Sequence, residues 1–357
     1  MSSEGDSIHL PTSCILYESS DRSVVLIDIP RSIEEAQLLP GQVLNKRIIS
    51  SSPVETPWET PEPKKKSLGQ QALSSASIAE LMTQEVVRSA LGKVRRGYKG
   101  PWCLPRAVRD IGKLCNDKSH KDLHKRKRSS DEPADMVIES LIPDQSRYLL
   151  GTIESQRAVF VAEAPMFDLM VLDPPWPSRS VKRKQNSYTI AHGIQEIRDL
   201  LAQIPVASHL KPDGLVAVWV TNKATVTDLL TSPRGIFAEW GLEFVGEWTW
   251  LKITNSGDPV VDLEAQWRKP WERLFLGRKR GSKLKAPIPS KVILGVPDIH
   301  SRKPNLKSIF QGILPENYTG LEVFARNLTA RWWSWGNEVL FFQQGHHWVD
   351  IADDVET

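Results

Sequence analysis

A chain of 357 residues with 40% hydrophobic and 25% charged residues can bury one large core or two modest ones, which excludes a disordered or fibrous protein. A formal net charge of +3 is too small to demand a polyanionic partner, so what counts is where positive charge clusters. Three scattered cysteines (Cys14, Cys103, Cys115) give no disulfide framework and suggest a reducing compartment, no apolar run is long enough to span a membrane, and the opening MSSEGDSIHL does not read as a signal peptide.

In chain order, Ile15-Leu16-Tyr17 and Val24-Val25-Leu26-Ile27 predict two short strands around Asp21-Arg22. Residues 50–72 hold Pro53, Pro57, Pro61, Pro63 and Lys64-Lys65-Lys66 with few apolar residues, the composition of a disordered linker. Residues 75–91 return to helical spacing, with Ile78, Leu81, Met82, Val86 and Leu91 expected on one side. Residues 118–132 read as an exposed basic loop, and Lys125-Arg126-Lys127-Arg128 within them as a candidate nuclear localisation signal. Of 13 tryptophans, only Trp58 and Trp102 precede residue 176. The expectation is an N-terminal region over 1–139, with a small β and helical part, and a principal domain over 140–357.

From about residue 140 strands alternate with helices. Val159-Phe160-Val161 predicts a short strand, and Phe167 to Leu172 is a near-continuous apolar run, as in a strand buried on both faces. Residues 194–204 have helical periodicity. The turn Pro212-Asp213-Gly214 opens a buried strand over 215–220. Residues 223–232 and 235–240 read as helices, Leu242 to Lys252 as a strand, and Leu274-Phe275-Leu276, 292–296 and 321–324 as further strands, with a short helix over 306–313. This alternation predicts an α/β domain with a mostly parallel sheet. In such sheets ligands bind beyond the carboxyl ends of the strands.

Asp173-Pro174-Pro175-Trp176 stands at such an end, directly after the strand 167–172. With proline at about 5% and tryptophan rarer, the tetrapeptide arises by chance in roughly one chain in a thousand of this length. Its chemistry suits an exocyclic aromatic amine, a poor nucleophile whose lone pair is delocalised into the ring. The Asp173 carboxylate and the Pro174 carbonyl can accept its two hydrogens, point the lone pair at an electrophile and stabilise the developing positive charge. Pro174 and Pro175 bring no backbone N–H to compete. Trp176 offers a flat face on which a base can stack. The electrophile would be the sulfonium methyl of S-adenosylmethionine.

The motif resembles the catalytic motif of the MT-A70 family of adenine amino-methyltransferases. Val218-Trp219-Val220-Thr221-Asn222, Glu247-Trp248-Thr249-Trp250-Leu251-Lys252, Lys269-Pro270-Trp271-Glu272, Ser301-Arg302-Lys303-Pro304, Leu321-Glu322-Val323-Phe324-Ala325-Arg326-Asn327 and Trp335-Gly336-Asn337-Glu338 extend the resemblance in order over about 140–345. Together they look most like the branch called methyltransferase-like protein four. The resemblance implies a Rossmann-like class I S-adenosylmethionine-dependent methyltransferase, with helices on both faces of the sheet and a permuted motif order in which the catalytic motif precedes the cofactor-binding segments. That order accounts for the lack of a glycine-rich loop before Asp173.

By the same resemblance Asn337 and Glu338 bind the ribose or adenosyl group of the cofactor, Arg326 and Asn327 lie nearby, and Lys303 meets the cofactor carboxylate and the substrate phosphate. Arg302 replaces a histidine frequent at that place. Arg179, Lys182, Arg183 and Lys184 follow the motif and are candidates for phosphate contacts, and Tyr188 for the base pocket. Lys269 and Glu272, with Trp271 and Arg268, form a candidate substrate rim. Trp219 and Trp250 read as core. Arg278-Lys279-Arg280, with Lys283 and Lys285, reads as an exposed loop giving nonspecific attraction. Cys103, Cys115, His120 and His124 lack the spacing of a zinc site, so no metal is expected; His346-His347 reads as a surface pair.

The expected activity is adenine-N6 methylation of nucleic acid with S-adenosylmethionine, RNA favoured over DNA. The branch resemblance points to small nuclear RNA with the target adenosine 2′-O-methylated, and to a nuclear and also cytoplasmic location. Two rivals are a silent RNA-binding scaffold subunit, against which the intact motif argues, and a methyltransferase acting on another planar amine such as cytosine.

Overall fold

The computed structural model describes residues 13–59, 75–108, 140–177, 193–265, 268–282, 287–299 and 301–351. Its first part comprises β1 (Ile15–Glu18), β2 (Val24–Ile27), helix α1 (Ile29–Ala36), β3 (Lys46–Ser50), helix α2 (Ser75–Gly97) and β4 (Ala107–Val108). Then come β5 (Arg147–Leu150), α3 (Ile153–Glu163), β6 (Phe167–Leu172), α4 (Ile194–Ala202), α5 (Val206–His209), β7 (Leu210–Val220), α6 (Ala224–Thr231), α7 (Ile236–Glu239), β8 (Leu242–Lys252) and β9 (Trp271–Lys279). Strand β10 (Lys291–Gly295), α8 (Lys307–Phe310), β11 (Gly320–Val323), β12 (Trp333–Gly336) and β13 (Trp348–Asp350) complete the chain.

Ten strands form one sheet in the order β1-β2-β10-β8-β9-β7-β6-β11-β12-β5. All run parallel except β1 and β9. The centre is apolar on both faces because successive side chains alternate. In β6 and β7, Met170, Leu172, Val216, Val218 and Val220 meet α3, α4, α6 and α7 on one side. Leu169, Val171, Leu215, Ala217 and Trp219 point the other way, toward Ile29 of α1 and Ile309 and Phe310 of α8. Helix α2 closes a third cluster over β2 and β10. None of the described helices is long and apolar enough to cross a membrane.

Strands β1 and β2 fall where the sequence predicts, and both join this sheet, β2 pairing in parallel with β10. Helix α1 starts where Asp28 caps it, accepting the Arg31 N–H at 2.9 Å, with Pro30 in the first turn. A second, three-stranded sheet, β13-β3-β4, joins the chain's two ends. The short strands β3, β4, β5, β12 and β13 are not expected from the sequence.

Several expectations are corrected. Val159-Phe160-Val161 is helical, not a strand: Thr152 caps α3 by accepting the Ser155 N–H, and Phe160 turns inward between Phe167 and Trp335 while Val159 and Val161 face solvent. The strand expected from 215 starts at Leu210 and takes Pro212-Asp213-Gly214 inside it as an irregularity. Helix α2 buries Val87, Ala90, Leu91 and Val94, whereas Ile78, Leu81, Met82 and Val86 are exposed, so of the apolar side expected from spacing only Leu91 is packed. Residues 50–59 are laid along the protein rather than linking two parts: Ser51 N–H donates to Asp298, Val54 C=O accepts the Asn255 N–H, and Trp58 N–H donates to Val260 C=O. Residues 60–72 and 118–132 lie outside the described residues. Arg278 and Lys279 end β9 instead of forming a loop, with Arg278 paired to Glu243. His347 is half-buried against Phe341 and Phe342, so only His346 is a surface residue.

Phe160→Ala is expected to cost about 3–5 kcal/mol, because its ring stacks on Trp335 at 4.8 Å and Phe167 at 6.2 Å. Val161→Ala on the exposed side should stay within about 0.5 kcal/mol. Urea unfolding of the two variants checks both values.

Candidate active site

Strand β6 lies between β7 and β11, all three parallel, and delivers Asp173 at its carboxyl end, where the Asp173 N–H donates to Val323 C=O at 3.3 Å. The chain then turns sharply: Pro174 C=O accepts the Trp176 N–H at 2.8 Å. A carbonyl has a second lone pair, so this oxygen keeps accepting capacity. The Trp176 indole N–H donates to Trp219 C=O on β7 at 2.7 Å, and its ring packs into the core. The open stacking face expected of Trp176 is therefore a strut: the buried indole ties the turn after β6 to the backbone of β7. Trp219 and Trp250 are core residues, as their places in strands predict.

Four charges alternate across the cleft. Asp173 pairs with Lys303 at 3.0 Å, Lys303 with Glu272 at 3.3 Å, and Glu272 with Lys252 at 2.5 Å. Burial pushes the Asp173 carboxyl above the usual carboxylate range, with Lys303 opposing. Burial also opposes charge on Glu272, but Lys303 and Lys252 outweigh it and hold that carboxyl at about 2. Burial opposes charge on Lys303 too; Asp173 and Glu272 prevail and keep it protonated. Glu322 on β11, half-buried in the same cleft, is pushed up to about 8 by burial and then by the charge of Asp173.

Lys303 is placed by its neighbours. Ser301 adopts φ 68°, a left-handed conformation that costs a non-glycine residue energy and persists only where surroundings enforce it. Arg302 is buried, donates to Ile49 C=O at 3.0 Å, pairs with Asp298 and stacks over the Phe342 ring. Two residues on, the Asn305 N–H donates to Ser32. Arg302, expected to touch substrate, is thus an internal anchor beneath Lys303. The Arg302 Nη1 makes both polar contacts, while Nε and Nη2 are buried without a hydrogen-bond partner.

Beyond β11 and β12 the backbone crosses itself closely: a Cβ on Gly336 would lie 2.8 Å from Ala325 C=O. This approach brings Arg326 to Glu338 at 3.0 Å, in a geometry that leaves Arg326 Nε and Glu338 Oε2 without a hydrogen bond. Asn327 lines the cleft with Lys303, Asp173 and Glu322, and Asn337 stands exposed at the end of β12. This donor set fits S-adenosylmethionine. Lys303 suits its carboxylate, and the unsatisfied atoms of Arg326 and Glu338 a ribose diol.

The structure therefore brings together Asp173, Glu272, Lys303, Arg326, Asn327 and Glu338. Lys269 is turned away from a free rim, pairing with Glu80 of α2 and facing the Trp271 ring. Arg278 and Lys279 lie at the opposite end of the sheet from Asp173, because β9 runs antiparallel to β7 and Arg278 sits opposite Leu215, where β6 and β7 begin their pairing rather than end it. Arg179, Lys182, Arg183, Lys184 and Tyr188, like Cys115, His120, His124, Lys283 and Lys285, lie outside the described residues. Among the described residues no cluster of metal-ligating side chains occurs. Sequence reasoning overlooked Glu322 and Lys252. A glutamate inside an otherwise apolar strand was a signal for Glu322; nothing in the sequence singles out Lys252.

The pattern of the MT-A70 family matches residues 167–338. The chain is 48% identical over 344 residues to the "N6-methyladenosine RNA methyltransferase MTA1" of Cryphonectria parasitica, covering 94% of each protein. It is 44% identical over 367 residues to the protein of the same name from Pyricularia oryzae, covering 95% of this chain and 97% of that one. It is 37% identical over 222 residues to human "N(6)-adenine-specific methyltransferase METTL4", covering 59% of this chain and 45% of METTL4. The chain belongs to the MT-A70 family of S-adenosylmethionine-dependent adenine-N6 methyltransferases.

Glu322 carries a pH signature. Its carboxyl moves from an ordinary 4.5 to about 8 on folding, so between these values the folded state holds a proton that the unfolded state has lost. Stability must then fall as pH rises through that window, with the loss complete above about 8. Urea midpoints measured from pH about 5 to 9 should decline for the wild type and decline less for Glu322→Gln; parallel profiles would refute the assignment.

Proposed function

We propose that this protein methylates the N6 amine of adenine in RNA, with Asp173 as the principal catalytic residue. The observation that carries the reading is the Asp173 carboxylate at the carboxyl end of β6, 3.0 Å from Lys303, in one cleft with Arg326 and Asn327. When bound, S-adenosylmethionine supplies an electrophilic methyl group. Lys303 would hold its carboxylate, and Arg326 with Glu338, Asn327 and Asn337 its ribose and adenosyl part. Asp173 then accepts one N6 hydrogen and the free lone pair of Pro174 C=O the other. With both hydrogens engaged, the nitrogen presents its lone pair to the methyl group. As the N–C bond would form and the methyl–sulfur bond break, the sulfur keeping the electron pair and leaving as S-adenosylhomocysteine, the nitrogen would gain positive charge that the carboxylate stabilises. The raised affinity of Asp173 for a proton suits it to take the one the amine then sheds.

RNA is favoured because two relatives alike over nearly their whole length bear names that specify RNA. Small nuclear RNA, with the target adenosine 2′-O-methylated, is the finer substrate class within this proposal. A nuclear location goes with it, on the basic run at 125–128. The intact Asp173-Pro174-Pro175-Trp176 argues against a silent scaffold, which has no need of a poised carboxylate.

With labelled S-adenosylmethionine and matched RNA and DNA oligonucleotides, the wild type should yield N6-methyladenosine, RNA being the better substrate by nucleoside mass spectrometry. Asp173→Ala should lower turnover by about 10²–10³-fold or more. Lys303→Ala should raise the cofactor KM. A wild type that neither forms product nor binds S-adenosylmethionine would sink the reading.

A further inference from the structure

The loop between β8 and β9, residues 253–270, leaves the carboxyl end of β8 and enters β9 next to Glu272. Strand β8 is parallel to β6, so the loop rises on the same side of the sheet as Asp173. With strands about 4.8 Å apart and β9 and β7 between, the loop stands roughly 10–15 Å from the catalytic strand. That is the distance at which a nucleotide flanking the target adenine would lie.

The N-terminal residues clamp this loop along its length. Arg95 donates to Gly257 C=O at 3.2 Å and pairs with Asp258 at 2.6 Å. Arg88 pairs with Glu264 at 3.3 Å, and Glu80 with Lys269. The Trp102 ring packs so closely on Gly257 that a Cβ there would lie 2.4 Å from it, and Gly257 has φ 83°. Val54 and Trp58 are held by backbone bonds to Asn255 and Val260, at 2.8 and 2.7 Å.

Within this clamp Arg268 differs from its neighbours. Asp258, Glu264 and Lys269 each have an opposite charge, and Asp262 accepts the Glu264 N–H. Arg268 is exposed and forms no ion pair with any described carboxylate. Its guanidinium lies instead 4.8 Å from the centre of the half-buried Trp58 ring. The backbone bond of Trp58 to Val260 anchors the residue, and its half-buried ring carries the guanidinium. A ring with a guanidinium laid on it that no described carboxylate pairs suits one ligand chemistry above others. A nucleobase presents a π-face to such a pair, and its phosphate presents oxygens to the same guanidinium.

We propose that Trp58 and Arg268 form a stacking platform that receives an unpaired base of the nucleic-acid substrate flanking the target adenine. The proposal rests on the reading of the protein as an RNA methyltransferase. It gives residues 50–59 a substrate-binding role: the indole comes from the N-terminal segment and the guanidinium from the β8–β9 loop. The platform is sequence-tolerant, because every base has a π-face, and it favours single-stranded or looped targets, whose bases are free to stack.

The test is fluorescence anisotropy with a single-stranded, adenine-containing RNA, on wild type, Trp58→Ala, Trp58→Phe and Arg268→Ala. It is repeated with an abasic site walked along the RNA. Trp58→Ala should weaken binding by about 5- to 100-fold, as the loss of one base stack does, and Trp58→Phe should recover most of it. Arg268→Ala should weaken binding and reduce the slope of log affinity against log salt by about 1. At one position beside the target an abasic site should weaken the wild type but leave Trp58→Ala unaffected, a signature that mere loosening of the loop does not produce. Calorimetric affinity for S-adenosylmethionine should stay within about twofold in every variant, so a folding defect is recognised directly. The platform is overturned alone if the wild type binds and methylates RNA and the variants bind it equally well, or if no abasic position distinguishes Trp58→Ala. It falls together with the functional reading if the wild type binds no RNA.

Discussion

The ion pair between Asp173 and Lys303 is the interaction on which the site depends. A carboxylate in a cleft shielded from water is costly unless an opposite charge compensates it. Here the compensation runs through four side chains of alternating sign, from Asp173 through Lys303 and Glu272 to Lys252. Removing Lys303 leaves Asp173 without its partner, and removing Glu272 does the same to Lys252. The four come from the ends of β6 and β8, the start of β9 and the segment after β10, so the balance exists only when these strands are in register. The amino-acid end of S-adenosylmethionine carries one positive and one negative group. It can therefore exchange with the protein's own pairs without adding net charge to the cleft. Glu322, protonated below about 8, lets a second carboxyl group stand beside Asp173 without a second negative charge.

Much of the chain outside the cleft serves to keep Lys303 and the β8–β9 loop in place. Arg302 reaches back to Ile49, Asp298 accepts from Ser51, and the Asn305 N–H donates to Ser32, so the lysine is held between α1 and β3. Glu34, wholly buried, fixes that pair of elements by accepting from Arg47 at 2.9 Å and the Ile48 N–H at 3.0 Å. Helix α2 does the same for the loop through Glu80, Arg88 and Arg95. The N-terminal segment is therefore a buttress: it adds β1 and β2 to the sheet and transmits their rigidity to the two loops that flank Asp173.

Apolar runs buried on both faces were legible from hydrophobicity alone, as β6 and the later part of β7 show. The edge strand β5 and its neighbour β12 were not: each is only four residues long and mixes polar with apolar side chains. Val159-Phe160-Val161 misled for a related reason: β-branched residues favour strands, but a capped N-terminus and one buried aromatic decide the matter. The proline-rich stretch 50–59 looked like a linker because its few apolar residues, Val54 and Trp58, act singly, and their partners lie some 200 residues away in the chain.

The amino-acid sequence by itself determined the chemistry: Asp173-Pro174-Pro175-Trp176 after an apolar strand, with Lys303, Arg326, Asn327, Asn337 and Glu338 following in the order of the family. Those residue types carry their donors, acceptors and charges wherever they stand. Only the tertiary structure decided which of them meet. It turned Trp176 inward as a strut, buried Arg302 as an anchor, tied Lys269 to α2, and raised Glu322 and Lys252 to members of the site. The physical reason is that burial, pairing and proton affinity belong to the space around a group, and that space is filled by strands distant in the chain.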